Sequence, residues 1–211
     1  QVKAMFDPQG IFNPGKITNA PKMDDRELFR FAPGYEAEDF DSVLDWAAWP
    51  GAAGGFQGAV EMCNNNGACR KLTGGVMCPS YRATRNERDV VRGRANSLRL
   101  AMSGQLGPDA MASDAMAETM KLCVSCKACK RECPVGVDMA RMKVEVTAAR
   151  AAKHGIPLHD RLIGNLPAYA PLASGLSGLS NLVQSVWRHV PGLASLVSRF
   201  TGFTTKRSLP K

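Results

Sequence analysis

With 211 residues, 45% of them hydrophobic and 22% charged, the chain is long enough for one or two domains with a real core and has the balance of a globular protein. Its formal charge of +8 comes with neither a lysine-rich run nor aromatics interleaved with arginines, so nucleic acid is not an expected partner. Seven cysteines are an odd number, no secretory signal is visible, and their clustered spacing favours metal or redox chemistry over a disulfide-stapled fold.

The chain opens on Gln1 and closes on Lys211, just after a leucine-proline pair, which reads as a piece of something longer. Residues 1–20 carry turn signals at Asp7-Pro8, Gly10 and Asn13-Pro14-Gly15 and predict an irregular lead-in. From Met23 to Trp49, Leu28, Phe29 and Phe31 precede Pro33-Gly34, and Val43, Leu44, Asp45 and Trp46 come after an acidic stretch; the pattern predicts two strands joined by a long loop. Glu38, Asp39 and Asp41 read as a solvated loop, because a calcium loop needs a defined ladder of oxygen ligands. Gly51, Gly54, Gly55 and Gly58 then suggest close backbone packing beside Cys63.

Cys63 opens a first cysteine motif, MCNNNGACRKLTGGVMCPSY: Cys63, Cys69 after CxxNxxC spacing, a loop containing Gly74 and Gly75, and Cys78 with Pro79 directly behind it. Two helical patterns come next. Asn86 can cap a helix to about Met102, with Val91, Ala95, Leu98 and Met102 on one face and Gly104 at its end. Arg88, Arg92 and Arg99 lie along one edge of that stripe and Arg94 along the other; solvent or salt bridges suit most of them, with one or two over a cluster or a partner surface. About Asp109 to Leu122 a second pattern uses Met111, Met116 and Met120 as core filler.

The second motif, Cys123 to Pro134, reads CVSCKACKRECP: Cys123, Cys126 and Cys129 at CxxCxxC spacing, then Cys133 and a proline. This is the run that ligates cubane iron-sulfur clusters, with the last cysteine serving the other cluster of a two-cluster protein. By that crosswise rule Cys123, Cys126, Cys129 and Cys78 hold one cluster, a [4Fe-4S]. Cys63, Cys69 and Cys133 hold the other, a [4Fe-4S] or [3Fe-4S], with Asn66 where a fourth thiolate belongs. Thiolate-bound clusters would lower the charge to about +5, and nearby arginines would raise the reduction potential. Two other readings exist: a zinc-bound structural module, which the third cysteine and the two Cys-Pro endings fit badly, and a hydro-lyase using an open iron as Lewis acid, which has no need of a second cluster.

Asp138 caps a further helix whose Met139, Met142, Val146 and Ala149 share a face through about Ala152, and His154-Gly155 ends it. Residues 163–187 carry no charge, yet Pro167, Pro171, Asn181 and Gln184 make a poor bilayer span, so no transmembrane segment is expected. Leu179, Leu182, Val183, Val186 and Trp187 form one amphipathic pattern and Leu193 to Phe200 another, suited to packing on a neighbouring domain. His154, His159 and His189 read as structural.

Helices between and after the two cluster loops give the fold class: mainly α, similar to the two-cluster alpha-helical ferredoxin type, with a short irregular or β lead-in. FDPQGIFNPGKI resembles the closing segment of FAD-linked oxidases of the vanillyl-alcohol-oxidase type, and both cysteine motifs with the helices between them resemble the iron-sulfur region of large FAD-linked oxidases, the glycolate-oxidase-like and D-lactate-dehydrogenase-like fusions. That resemblance implies residues 1–20 as the tail of an upstream FAD domain, 21–57 as a connector, 58–155 as a helical two-cluster ferredoxin domain and 156–211 as a helical linker toward a cysteine-rich domain. It implies oxidation of a 2-hydroxy acid such as glycolate, D-lactate or 2-hydroxyglutarate on the flavin, with FAD bound only upstream. Electrons would pass through the clusters to a quinone, ferredoxin or cytochrome. A cytoplasmic place is expected, at most peripheral to the inner membrane. No residue of the chain reads as a general base or nucleophile, so no catalytic residue is expected within it.

Overall fold

The computed structural model describes residues 2–29, 31–37, 40–49, 54–190 and 192–204, apart from the side chains of residues 187–189. Glu38, Asp39, Gly51 and the side chains of Trp187 and His189 therefore lie outside the described residues. Among the described residues helices are the regular elements and no strand forms. In chain order the helices are α1 (Val2–Phe6), α2 (Gly55–Glu61), α3 (Pro79–Thr84), α4 (Val91–Met102), α5 (Asp114–Lys121), α6 (Ala128–Glu132), α7 (Met139–His154), α8 (Leu158–Gly164), α9 (Leu166–Gly175), α10 (Ser177–His189) and α11 (Leu193–Thr201).

The core lies where α4 meets α2, α5 and α7. On α4 the expected stripe is buried: Val91, Ala95, Leu98 and Met102, with Leu98 wholly enclosed. Met139, Met142 and Val146 of α7 face it, and Met116 and Met120 of α5 fill the gap with Met111, as the sequence suggests. Each such side chain contributes about 1.5 to 3 kcal/mol by leaving water. Helices α8 to α11 pack among themselves, α8 on α9 and α11, and α10 on α9 and α11.

Two helices start later than their sequence patterns suggest. Asn86 caps only a 3-10 turn, Glu87–Asp89, by accepting the Arg88 N–H at 2.9 Å; Val90 is then extended, and α4 begins at Val91. Likewise Ala110–Ala112 is a 3-10 turn, and Ser113, extended itself, caps α5 through the Met116 N–H. Asp138 does cap α7, through Arg141.

The strands expected between Met23 and Trp49 do not form. Residues Arg26–Leu28 make a 3-10 turn, and Leu28 and Phe29 are exposed. The later half is captured by a carboxylate instead of a partner strand. Glu145 of α7, 0% exposed, accepts the Val43 and Leu44 N–H groups at 2.9 and 3.0 Å and the Trp46 Nε1–H at 2.7 Å. Trp46 then packs on Phe56 and Trp49, and Arg141 stacks over both indoles. Of the glycines ahead of the first motif, Gly58 is buried in α2, which packs on α4, whereas two others act differently from expectation. Gly54 and Gly55 have open space around their α-carbons, and their contribution is positive φ, 62° and 53°, for the turn into α2.

Candidate metal centre

The two cysteine loops share a pair of left-handed positions. Asn65 and Gly67 take φ of 62° and 77°, and Ser125 and Lys127, at the matching positions of the second loop, take 53° and 58°. Asn66 and Cys126 therefore each sit between two left-handed residues, and each loop then enters a helical turn, Ala68–Arg70 in one case and α6 in the other. Cys78 is left-handed as well, at φ 56°, with Pro79 opening α3. Non-glycine residues in this region cost on the order of 1 to 3 kcal/mol each and persist where the surroundings over-determine them, as at binding sites.

Each loop also faces a helix start. Cys63, Cys69, Cys78 and Cys129 are buried, Cys123 and Cys133 are half-buried, Cys126 is exposed, and no disulfide joins any of the seven. Burial pushes the Cys69 thiol up, and the backbone N–H of Arg92 pulls against it. Burial does the same to Cys129, against the N–H groups of Met139 and Ala140. Arg92 and Ala140 are both second residues of their helices, α4 and α7. The partial positive charge of a helix N-terminus thus stands at one sulfur of each motif and favours its thiolate.

Cys78 reaches across from the first motif and lines one cavity with Cys123, Cys126 and Cys129. Arg94 and Met139 wall the same cavity. Cys69 lies close enough to both Cys63 and Cys78 for their charges to interact. The described backbone hydrogen bonds of Cys133 go to Cys129 and Gly136. Its neighbour Glu132 accepts the Val76 and Met77 N–H groups at 2.8 and 2.9 Å, tying the end of the second motif to the loop before Cys78. Those two bonds hold the Glu132 carboxyl below the usual carboxylate range.

Among the described residues no three His, Cys, Asp or Glu side chains converge on one point that would hold a single ion. Four cysteines, Cys78, Cys123, Cys126 and Cys129, line the cavity, and a cubane cluster takes one thiolate at each of four irons. Soft donors, helix N-termini and a buried guanidinium make a donor set that fits an anionic iron-sulfur group. Asn66 is not offered as an additional donor: its Oδ1 accepts the Ala68 N–H at 2.8 Å and its Nδ2 donates to Asn64 at 2.6 Å, both at the exposed surface. His159 pairs with the Thr201 carbonyl at 3.1 Å and packs on Phe203, in keeping with a structural role.

Three polar groups escape the sequence patterns. Arg94, read at the edge of an apolar stripe, is 1% exposed and lines the cavity. Asp89 is buried beside it. Glu145 lies inside a helix whose apolar spacing gives it no distinction; only its position opposite residues 43–46 makes it an anchor.

Residues 59–137 match the 4Fe-4S dicluster domain, and both cysteine loops and the four cysteines that line the cavity lie within that match. The chain is homologous over most of its length to D-2-hydroxyglutarate dehydrogenases. It is 28% identical to that of Pseudomonas putida over 89% of this chain and 21% of that protein, and 27% identical to that of Escherichia coli over 82% and 20%. The likeness to the dehydrogenase of Pantoea ananatis is 26%, over 86% and 20%. The chain thus spans about a fifth of the length of the curated relatives it matches. No solved structure matches it.

Proposed function

We propose that this chain is the electron-relay part of an FAD-linked 2-hydroxy acid dehydrogenase, with D-2-hydroxyglutarate the favoured substrate of the whole protein. The observation that carries it is the cavity in which Cys78 joins Cys123, Cys126 and Cys129 across 45 residues of sequence, inside a dicluster domain. In this reading those four thiolates hold one [4Fe-4S] cluster, and Cys63, Cys69 and Cys133 hold a second cluster, [4Fe-4S] or [3Fe-4S], that lacks one thiolate at Asn66. Residues 58–155 are the relay domain, residues 1–20 continue from an upstream FAD domain, 21–57 connect the two, and 156–211 lead toward a cysteine-rich domain.

The dehydrogenase likeness favours D-2-hydroxyglutarate over glycolate or D-lactate, because it is the substrate named for the relatives. Its oxidation to the 2-oxo acid would yield two electrons and two protons, which a flavin upstream of this chain would accept. Bound clusters supply one-electron capacity, which lets a two-electron donor be drained singly to a quinone, ferredoxin or cytochrome. The residues of this chain hold and surround those carriers: the left-handed loop residues aim the sulfurs, the first turns of α4 and α7 favour the thiolates, and the buried core beneath keeps water from one side.

Iron and sulfide analysis of the Cys126→Ala variant, purified and reconstituted without oxygen, tests the ligand set. The expected result is loss of one cluster's iron and sulfide with the other cluster's spectrum retained. Full wild-type iron content would overturn the assignment, and a colourless wild-type chain with stoichiometric zinc after reconstitution would overturn the relay itself.

A further inference from the structure

We propose that Arg94 is the positioning residue for the cluster of Cys78, Cys123, Cys126 and Cys129: its guanidinium donates to the Cys78 sulfur and raises that cluster's reduction potential. The proposal rests on the ligand set proposed for this chain and assigns a role to a residue outside it.

A guanidinium only 1% exposed costs several kcal/mol unless its donors and charge are matched. Here the match is incomplete on the protein side alone. Nε donates to the Thr119 carbonyl at 2.9 Å and Nη1 to the Ser80 hydroxyl at 3.2 Å. Nη2 has no hydrogen-bond partner, and the buried Asp89 carboxylate stands 4.0 Å from it, beyond hydrogen-bond reach; the facing Asp89 Oδ1 has no hydrogen-bond partner either. The fork is thus fixed on two sides, and Nη1, which donates to Ser80, also lies 3.9 Å from the sulfur of Cys78, one of the residues lining the cavity.

Ligation strengthens the contact of Nη1. As a thiol, Cys78 donates to the Asp89 carbonyl at 3.3 Å. Binding iron removes that proton. The Ser80 hydroxyl already serves the same carbonyl at 2.7 Å, so nothing is orphaned there, and the Cys78 sulfur becomes a pure acceptor facing Nη1. A charge-assisted bond then replaces a weak contact. Reduction adds one negative charge to the cluster, and a fixed positive charge in a site of low dielectric favours the reduced form over the oxidised one.

The test is a potentiometric titration of the anaerobically reconstituted chain, monitored by electron paramagnetic resonance. Arg94→Met, which keeps volume and deletes charge, is expected to shift one cluster's reduction equilibrium at least tenfold toward the oxidised form, about 59 mV for a one-electron couple, leaving the second cluster's potential in place. A variant that loads both clusters with both potentials unchanged overturns the role of Arg94 and leaves the ligand set standing. If Arg94→Met does not load, the wild-type chain decides: with arginine labelled by ¹⁵N at the guanidinium, pulsed resonance of the reduced cluster is expected to show a coupled nitrogen, and its absence overturns the proposal. A wild-type chain that takes up no iron would defeat the ligand set itself.

Discussion

A single carboxylate does at Glu145 what a strand would do elsewhere. It is fully buried, and three N–H groups from residues 43–46 converge on it. Replacing it by alanine leaves the buried Trp46 indole N–H and the partly buried Val43 and Leu44 N–H groups without this partner, and an unmet buried group costs about 1 to 3 kcal/mol. Glu145→Ala is expected to lower stability by about 3 kcal/mol, at the low end of that range for the three donors together, and to release Trp46, read as a lower denaturation midpoint together with a red-shifted tryptophan emission. An unchanged midpoint would mean that the connector is held by its aromatics alone. Glu132 acts in the same manner over a shorter span. Glu132→Ala is expected to speed hydrogen exchange at the Val76 and Met77 amides and to lower iron retention, whereas a change distant from residues 76–78 would point to another role.

At the scale of the loop, the two motifs are one element used twice. Matching left-handed residues place Asn66 and Cys126 alike, so the backbone at Asn66 is already shaped for a cysteine. Asn66→Cys is therefore expected to fold, at the cost of the Ala68 N–H bond. In the proposed ligand set the cluster of Cys63, Cys69 and Cys133 has three thiolates and therefore a corner open to oxidation, and carboxamide oxygen is a poor, hard ligand for iron in sulfur. On exposure to air the wild-type chain is expected to develop a three-iron paramagnetic signal before the four-thiolate cluster decays. Asn66→Cys should suppress it. Simultaneous decay of both clusters, unaltered in the variant, would refute a three-thiolate site.

At the scale of the whole protein, the chain matches about a fifth of its curated relatives, and substrate chemistry falls to the rest in the proposed reading. The 211-residue chain alone is expected not to oxidise D-2-hydroxyglutarate, while the full polypeptide reduces a dye acceptor with it. Turnover by the isolated chain at a comparable rate would overturn the division of labour. No helix among the described residues is long and apolar enough to cross a membrane. The tail helices instead form their own group, with Leu179, Leu182 and Val186 exposed on α10.

Local chemistry was legible in the sequence wherever it is written in short spacing. CxxCxxC with a Cys-Pro ending needs only its own loop to declare a cluster, and helix periodicity identified the buried face of α4 because burial there obeys the 3.6-residue turn. Asp138 and Gly155 bounded α7 for the same local reason. The helix starts at Val91 and Asp114 were less legible, since a cap residue signals a turn and cannot say whether the turn is 3-10 or α. Tertiary structure alone decided the remainder. The β-like run at residues 43–46 had strand composition but no partner strand, and a buried carboxylate 99 residues beyond Trp46 took its hydrogen bonds. Arg94 lay at the edge of a stripe in sequence, yet the packing of α4 against α5 enclosed it beside Cys78, because a guanidinium's surroundings are set by what other segments bring to it.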